Sequence, residues 1–252
     1  MTRRIIAVCL ATTLTLVGTA ARGDSAGCAF DAVAGEMELI EACTVELSAA
    51  SNATEQAELH VVRGSAYLAL AGDDAESISS LQAFWPGIFI RFEGEQSETE
   101  EPLTYTEKAI ADFDAATEAD SRLASAWFYR GYARMRLGDE NGGLSDFRRA
   151  AELDPETARY LLAVSILLAR RGEFRSAREV VNEAIAIDPG NAGQYAVRSL
   201  ISSGLMDDQG MEDRKRAFEL DPENERIQRI FELLDALRQR ARDQVFKPAG
   251  EP

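Results

Sequence analysis

The sequence predicts an all-α protein, a solenoid of helical hairpins, and three observations predict it. Segments at Ala151–Pro155, Ala186–Pro189 and Glu219–Pro222 end alike in Asp-Pro, with the prolines 34 and 33 residues apart. A fixed period of that size marks stacked supersecondary units, not one closed core. Within a period, apolar residues recur at helical spacing on both sides of a Leu-Gly-Asp turn: Trp127, Tyr132 and Met135 before it, Leu144, Phe147 and Ala151 after it. Small residues, Gly131, Gly143 and Ala150, stand where two paired helices would approach closely, and Asp154-Pro155 stops the second helix and begins the next unit.

The chain opens with Arg3-Arg4, an apolar run from Ile5 to Val17 and the small residues Gly18 to Ala21. That order reads as a secretory signal over residues 1–21, cleaved after Ala20 or Ala21. A membrane anchor would need about 20 apolar residues, and this run has 13. Residues 22–50 read as a short helical hairpin stapled by a Cys28–Cys43 disulfide, since an exported chain meets an oxidising compartment. A lipid anchor on Cys28 is the competing reading, because Ser25-Ala26-Gly27-Cys28 faintly resembles a lipoprotein cleavage site. Residues 51–123 hold a good first helix from Ala57 to Leu70 and a good second helix around Lys108–Ala116, separated by an aromatic and acidic insert at 81–103. Either one unit is split by an insertion, or a complete unit ends near Trp85 and is followed by a degenerate one. The hairpin-like turn Ala71-Gly72-Asp73 points to the second. Three units follow over 124–222. Residues 223–243 form an amphipathic helix with Ile227, Ile230, Phe231, Leu234 and Leu237 in one stripe, expected to cap the array. The alternative for this helix is dimerisation, and 244–252 read as a flexible tail.

The pattern resembles the tetratricopeptide repeat (TPR) family. Trp127, Gly131, Gly143, Phe147, Ala150 and Pro155 fall in that family's signature register, with Gly143 in place of its usual alanine. Leu161, Gly172, Ala177, Ala184 and Pro189 match in the next unit, and Tyr195, Ala217 and Pro222 in the third. The resemblance implies a right-handed superhelical solenoid of antiparallel helix pairs that acts as an interaction scaffold. It also implies a concave face lined by first-helix residues, here Val61, Leu68, Phe128, Tyr132, Met135, Leu162, Ile166, Ala196 and Leu200. A groove so lined would suit an apolar or helical peptide; the alternative is that several of these side chains pack between helices.

One internal comparison predicts contacts. The residue before the close-contact small residue is Arg130, Val164 and Arg198 in successive units, and the residue nine before each proline is Asp146, Val180 and Asp213. Arginine goes with aspartate and valine with valine, so Arg130–Asp146, Val164–Val180 and Arg198–Asp213 should touch across their hairpins. Arg63 and Asp112 would add a fourth pair under the split-unit reading.

Loss of Arg3 and Arg4 with the leader takes the formal charge from -16 to -18, which disfavours nucleic acid and anionic membrane as partners. His60 is the single histidine, so no histidine cluster for metal and no histidine relay can form within one chain. No phosphate-cradling glycine loop, nucleophile elbow or dinucleotide fingerprint occurs. The sequence therefore points to a non-catalytic protein-binding scaffold or adaptor, exported and most simply periplasmic, without cofactor or metal, as a monomer or weak homodimer. Two rivals remain: an accessory subunit that binds through the aromatic segment 81–92, and an enzyme with an unrecognised carboxylate site. Expression in a host with an export pathway should yield a chain shortened by 20 or 21 residues, read by intact mass; an uncleaved chain would refute the leader.

Overall fold

A computed structural model describes Cys28, residues 35–72 and 100–225, and residues 227–229, 231–232, 235–236 and 239. The leader, the segment 81–92, most of the acidic stretch after it and the tail 244–252 lie outside the described residues. All regular structure among those described is helical: α1 Glu36–Ala49, α2 Ala53–Leu70, α3 Glu100–Ala119, α4 Ala124–Arg136, α5 Glu140–Leu153, α6 Ala158–Arg170, α7 Phe174–Ile187, α8 Ala192–Leu205 and α9 Gln209–Leu220. Consecutive helices pair as hairpins, α2 with α3, α4 with α5, α6 with α7 and α8 with α9, and the hairpins stack through α3 on α4, α5 on α6 and α7 on α8. The result is a helical solenoid of antiparallel helix pairs.

Local chemistry sets the boundaries. Asn52, Asp139 and Asn191 begin α2, α5 and α8 by accepting backbone N–H bonds from Thr54, Gly142 and Gly193. The Asp-Pro pairs end α5, α7 and α9: the residue before a proline is forced out of helical geometry, and Asp154, Asp188 and Asp221 have φ of -140°, -130° and -147°. Three hairpin turns carry a left-handed glycine, Gly72, Gly138 and Gly172. The fourth does not. At the end of α8 the left-handed position is taken by Met206, at φ 55° and almost wholly exposed.

Glycine also sets how near paired helices come. A Cβ on Gly131 would lie 3.0 Å from the Asp146 Cβ, the Gly143 carbonyl oxygen and the Phe147 ring, and one on Gly64 would lie 2.6 Å from the ring of Phe113. Phe147 and Phe113 are both fully buried. The two contacts are equivalent in form. The turn at Gly72 opens like the others, which is why the sequence points to a complete unit ending near Trp85. The helix that α2 packs against is nonetheless α3, with Gly64 on Phe113 and Arg63 bonded to Asp112 at 2.6 Å. Thus α2 and α3 pack as the paired helices of the later hairpins do, the arrangement expected of a single split unit, and residues 73–99 lie outside the described residues.

At the N-terminal end, the described part of 22–50 is one helix, α1, together with Cys28. Cys28 and Cys43 form a disulfide (Cα–Cα 4.6 Å), Glu46 accepts the Cys28 N–H, and Leu39, Ile40 and Cys43 pack with Ala66 under Val62, Tyr67 and Leu70 of α2. At the other end, Ile227 and Phe231 are buried against the last hairpin, with Phe231 5.4 Å from Phe218 and the Arg214 guanidinium 4.9 Å from the Phe231 ring. Ile230, Leu234 and Leu237 lie outside the described residues.

Two outcomes are expected. Reducing the disulfide, which closes a loop of about 15 residues worth on the order of 3 kcal/mol, should loosen α1 while α4–α9 keep their protection in amide hydrogen exchange, because solenoid units depend mainly on their neighbours. Met206→Gly should raise stability by about 1 kcal/mol in urea titration, because it relieves a left-handed side-chain conformation.

Candidate partner-binding face

Among the first helices, α2 touches α4 and α6 touches α8, on the side of the stack where a groove is expected. Most of the apolar residues assigned to a groove there are not available to a ligand. Leu68, Phe128, Tyr132, Met135, Ile166, Ala196 and Leu200 are buried in the main core. Phe128 shows why. Its ring lies 5.5 Å from Phe147 of its own hairpin and 5.2 Å from Tyr160 of the next, so it fills the joint between units. In a stack, a first helix must meet its own partner and the following unit as well, and bulky apolar residues are consumed by both contacts. Of the nine groove positions only Val61 and Leu162 keep part of their surface open.

The arginine and aspartate positions hold the hairpins together. Arg130 grips Asp146 bidentately, Nε donating to Oδ2 at 2.9 Å and Nη2 to Oδ1 at 2.7 Å. Its remaining nitrogen, Nη1, reaches back to the preceding unit, donating to Asp114 and Thr117 at 2.9 Å each. Arg198 repeats the arrangement, with Asp213 at 2.9 and 2.6 Å and Asn182 of the preceding unit at 2.8 Å. Arg63 takes Asp112 and also Thr44 of α1, at 3.0 Å. Hydrogen bonding to Asp112 and to Asp213 raises the pKa of Arg63 and Arg198 above the ordinary arginine value, against the opposing effect of burial. For Arg130 burial is the largest influence and opposes the charge, yet Asp146 and Asp114 together outweigh it. Val164 and Val180 lie in the same apolar cluster. The single histidine, His60, has its Nδ1 2.8 Å from Asp112 Oδ1. With their donors spent on architecture, these groups offer a ligand little.

One group went unsignalled by the pairing pattern. Arg159, second residue of α6, is half-buried, with its guanidinium 5.5 Å from the Phe128 ring and 5.1 Å from the Tyr160 ring. Among the described residues it donates one hydrogen bond, from Nη2 to the Tyr160 hydroxyl at 3.3 Å, and its buried Nε finds no acceptor. Tyr129 lies alongside; burial pushes its phenol pKa up, and the Arg159 charge pulls the other way. The available sequence signal was negative: Arg159 falls outside the positions that pair with an aspartate.

Elsewhere, an open depression of about 360 Å³ is lined by Gly172, Glu173, Phe174, Arg175, Ser176 and Leu205, and its one carboxylate, Glu173, is 2.9 Å from Arg171. Among the described residues no group of histidine, cysteine, aspartate and glutamate could hold a metal ion, and no helix is long and apolar enough to cross a membrane.

No protein-family model and no curated protein matches the sequence. Solved structures are similar in fold. A crystal structure of MamA is 18% identical, covering 76% of this chain and 91% of its own, with a TM-score of 0.55. A second MamA structure is 16% identical, covering 86% of this chain and 89% of its own, with a TM-score of 0.53. YrrB, described as a TPR protein with an unusual peptide-binding site, is 14% identical with a TM-score of 0.47, covering 77% of this chain and 99% of its own. At these identities the likeness to the two MamA structures is one of fold, and the fold is a TPR-like helical solenoid.

Proposed function

We propose that the chain is a non-catalytic protein-binding scaffold or adaptor of the cell envelope, which holds a peptide segment of a partner along its inner face. The observation that carries this reading is that Val61 on α2, Tyr129 on α4 and Leu162 on α6 keep part of their surface open on successive first helices, while the bulk of the apolar residues around them is buried. Partly exposed apolar side chains on successive helices favour an extended peptide over a small molecule, which would be enclosed in a deeper pocket. Export is supported by the leader pattern, and the Cys28–Cys43 disulfide is compatible with an oxidising compartment such as a periplasm. The proposed groove is narrower than the nine-residue apolar set read from the sequence, with the buried members supporting it from beneath.

Val61→Glu combined with Leu162→Glu tests the reading, because both positions are partly exposed. Crosslinked capture from the native cell envelope should recover a partner with the mature chain and at least tenfold less with the variant, while the helical circular dichroism signal stays unchanged. Equal capture by both chains would move the binding surface off the inner face, with segment 81–92 the next to test.

A further inference from the structure

Three of the four first helices lack carboxylates. The first helices α4, α6 and α8 contain Arg130, Arg134, Arg136, Arg159, Arg170 and Arg198 and no carboxylate at all, in a chain with 43 acidic residues. Arg130 and Arg134 bond Asp146, Arg198 bonds Asp213, and Arg170 bonds Glu140, all on second helices. Arg159 is different. No carboxylate lies within ion-pair reach of it among the described residues, and Asp154 acts on it only through space. Aromatic faces partly replace the water that such a cation loses, but they accept none of its N–H bonds, and its charge-assisted donors go largely unspent. Leu162, one turn further along α6, lies on the same side and keeps part of its apolar surface open.

We infer that Arg159 is a recognition residue for a side-chain carboxylate, so that the partner segment held on the inner face carries an internal Asp or Glu flanked by apolar residues, the acid on Arg159 and an apolar neighbour on Leu162. This rests on the reading that the inner face holds a peptide. A planar guanidinium matches a carboxylate in shape and charge. A single such group does not gather the several cations that a polyanion requires, and the net charge of -16 repels nucleic acid. That charge also repels an acidic peptide at long range, but it is screened beyond about 8 Å at physiological salt, which leaves the close contact with Arg159 to discriminate.

The test is selection from a library of random twelve-residue peptides displayed as internal insertions, without free C-termini, on the mature chain and on its Arg159→Gln variant. The parent should enrich peptides with Asp or Glu beside Leu, Ile or Phe, and Arg159→Gln should lose that enrichment. For one selected peptide made with blocked ends, Arg159→Gln and the peptide's own Glu→Gln change should each weaken binding at least tenfold, and both together little more than either alone. Arg159→Lys, which keeps the charge, should retain part of the affinity and is the variant to use if Arg159→Gln fails to fold. A parent pool without acidic enrichment, an empty pool, or equal affinity in parent and variant would overturn the inference. So would enrichment that requires a free C-terminus, since the ligand would then be a terminal carboxylate. If acidic enrichment is lost from the parent while partner capture remains sensitive to Leu162→Glu, this inference fails alone and the scaffold reading stands.

Discussion

A solenoid has no single core to fall back on, so its geometry depends on whatever fixes one helix against its partner and one pair against the next. In the hairpins of Arg130 and Arg198 both tasks fall to one side chain. Arg130 spends two nitrogens on Asp146 within its hairpin and a third on Asp114 and Thr117 of the hairpin before it. Arg198 does the same with Asp213 and Asn182. The guanidinium suits this work because its donors point outward from a rigid plane in several directions. Removing either partner strands a buried charge, which costs several kcal/mol, whereas replacing both by apolar residues can be nearly neutral. The unit with Val164 and Val180 is built on the second solution.

Much of this architecture was legible in the chain, and the reasons are local. A proline every 33 or 34 residues, a glycine at the close approach and paired exchange of arginine with aspartate are all short-range signals, each with one structural meaning. Two features were not legible. The pairing of α2 with α3 depends on which distant helix wins the face of Gly64, and the turn at Gly72 looks the same whichever does. The fate of the groove residues depends on the distance between successive units. Helical spacing places Phe128 and Ile166 toward the inner side, but whether they are open or buried is decided by how closely the next hairpin, with Tyr160, packs against them.

The candidate site inherits this division. Side chains that obey the repeat are consumed by it: large apolar residues fill joints, and arginines in register clasp aspartates. What remains for recognition is what departs from the repeat. Arg159 is such a departure, a cation set among Phe128, Tyr129 and Tyr160 with no carboxylate in ion-pair reach among the described residues. In repeat proteins, specificity is therefore better sought among residues that break the periodic rule than among those that satisfy it.

The treatment of the two ends carries a consequence for assembly. Stacked hairpins could in principle be extended by another copy of the same chain, since each exposes the kind of face that the next one covers. At one end that face is occupied by α1, which the Cys28–Cys43 disulfide ties covalently to the preceding chain. At the other it is occupied by Ile227 and Phe231. End-on growth would first have to displace these segments. A further copy stacked at either end would therefore compete with a segment that the chain itself already supplies there.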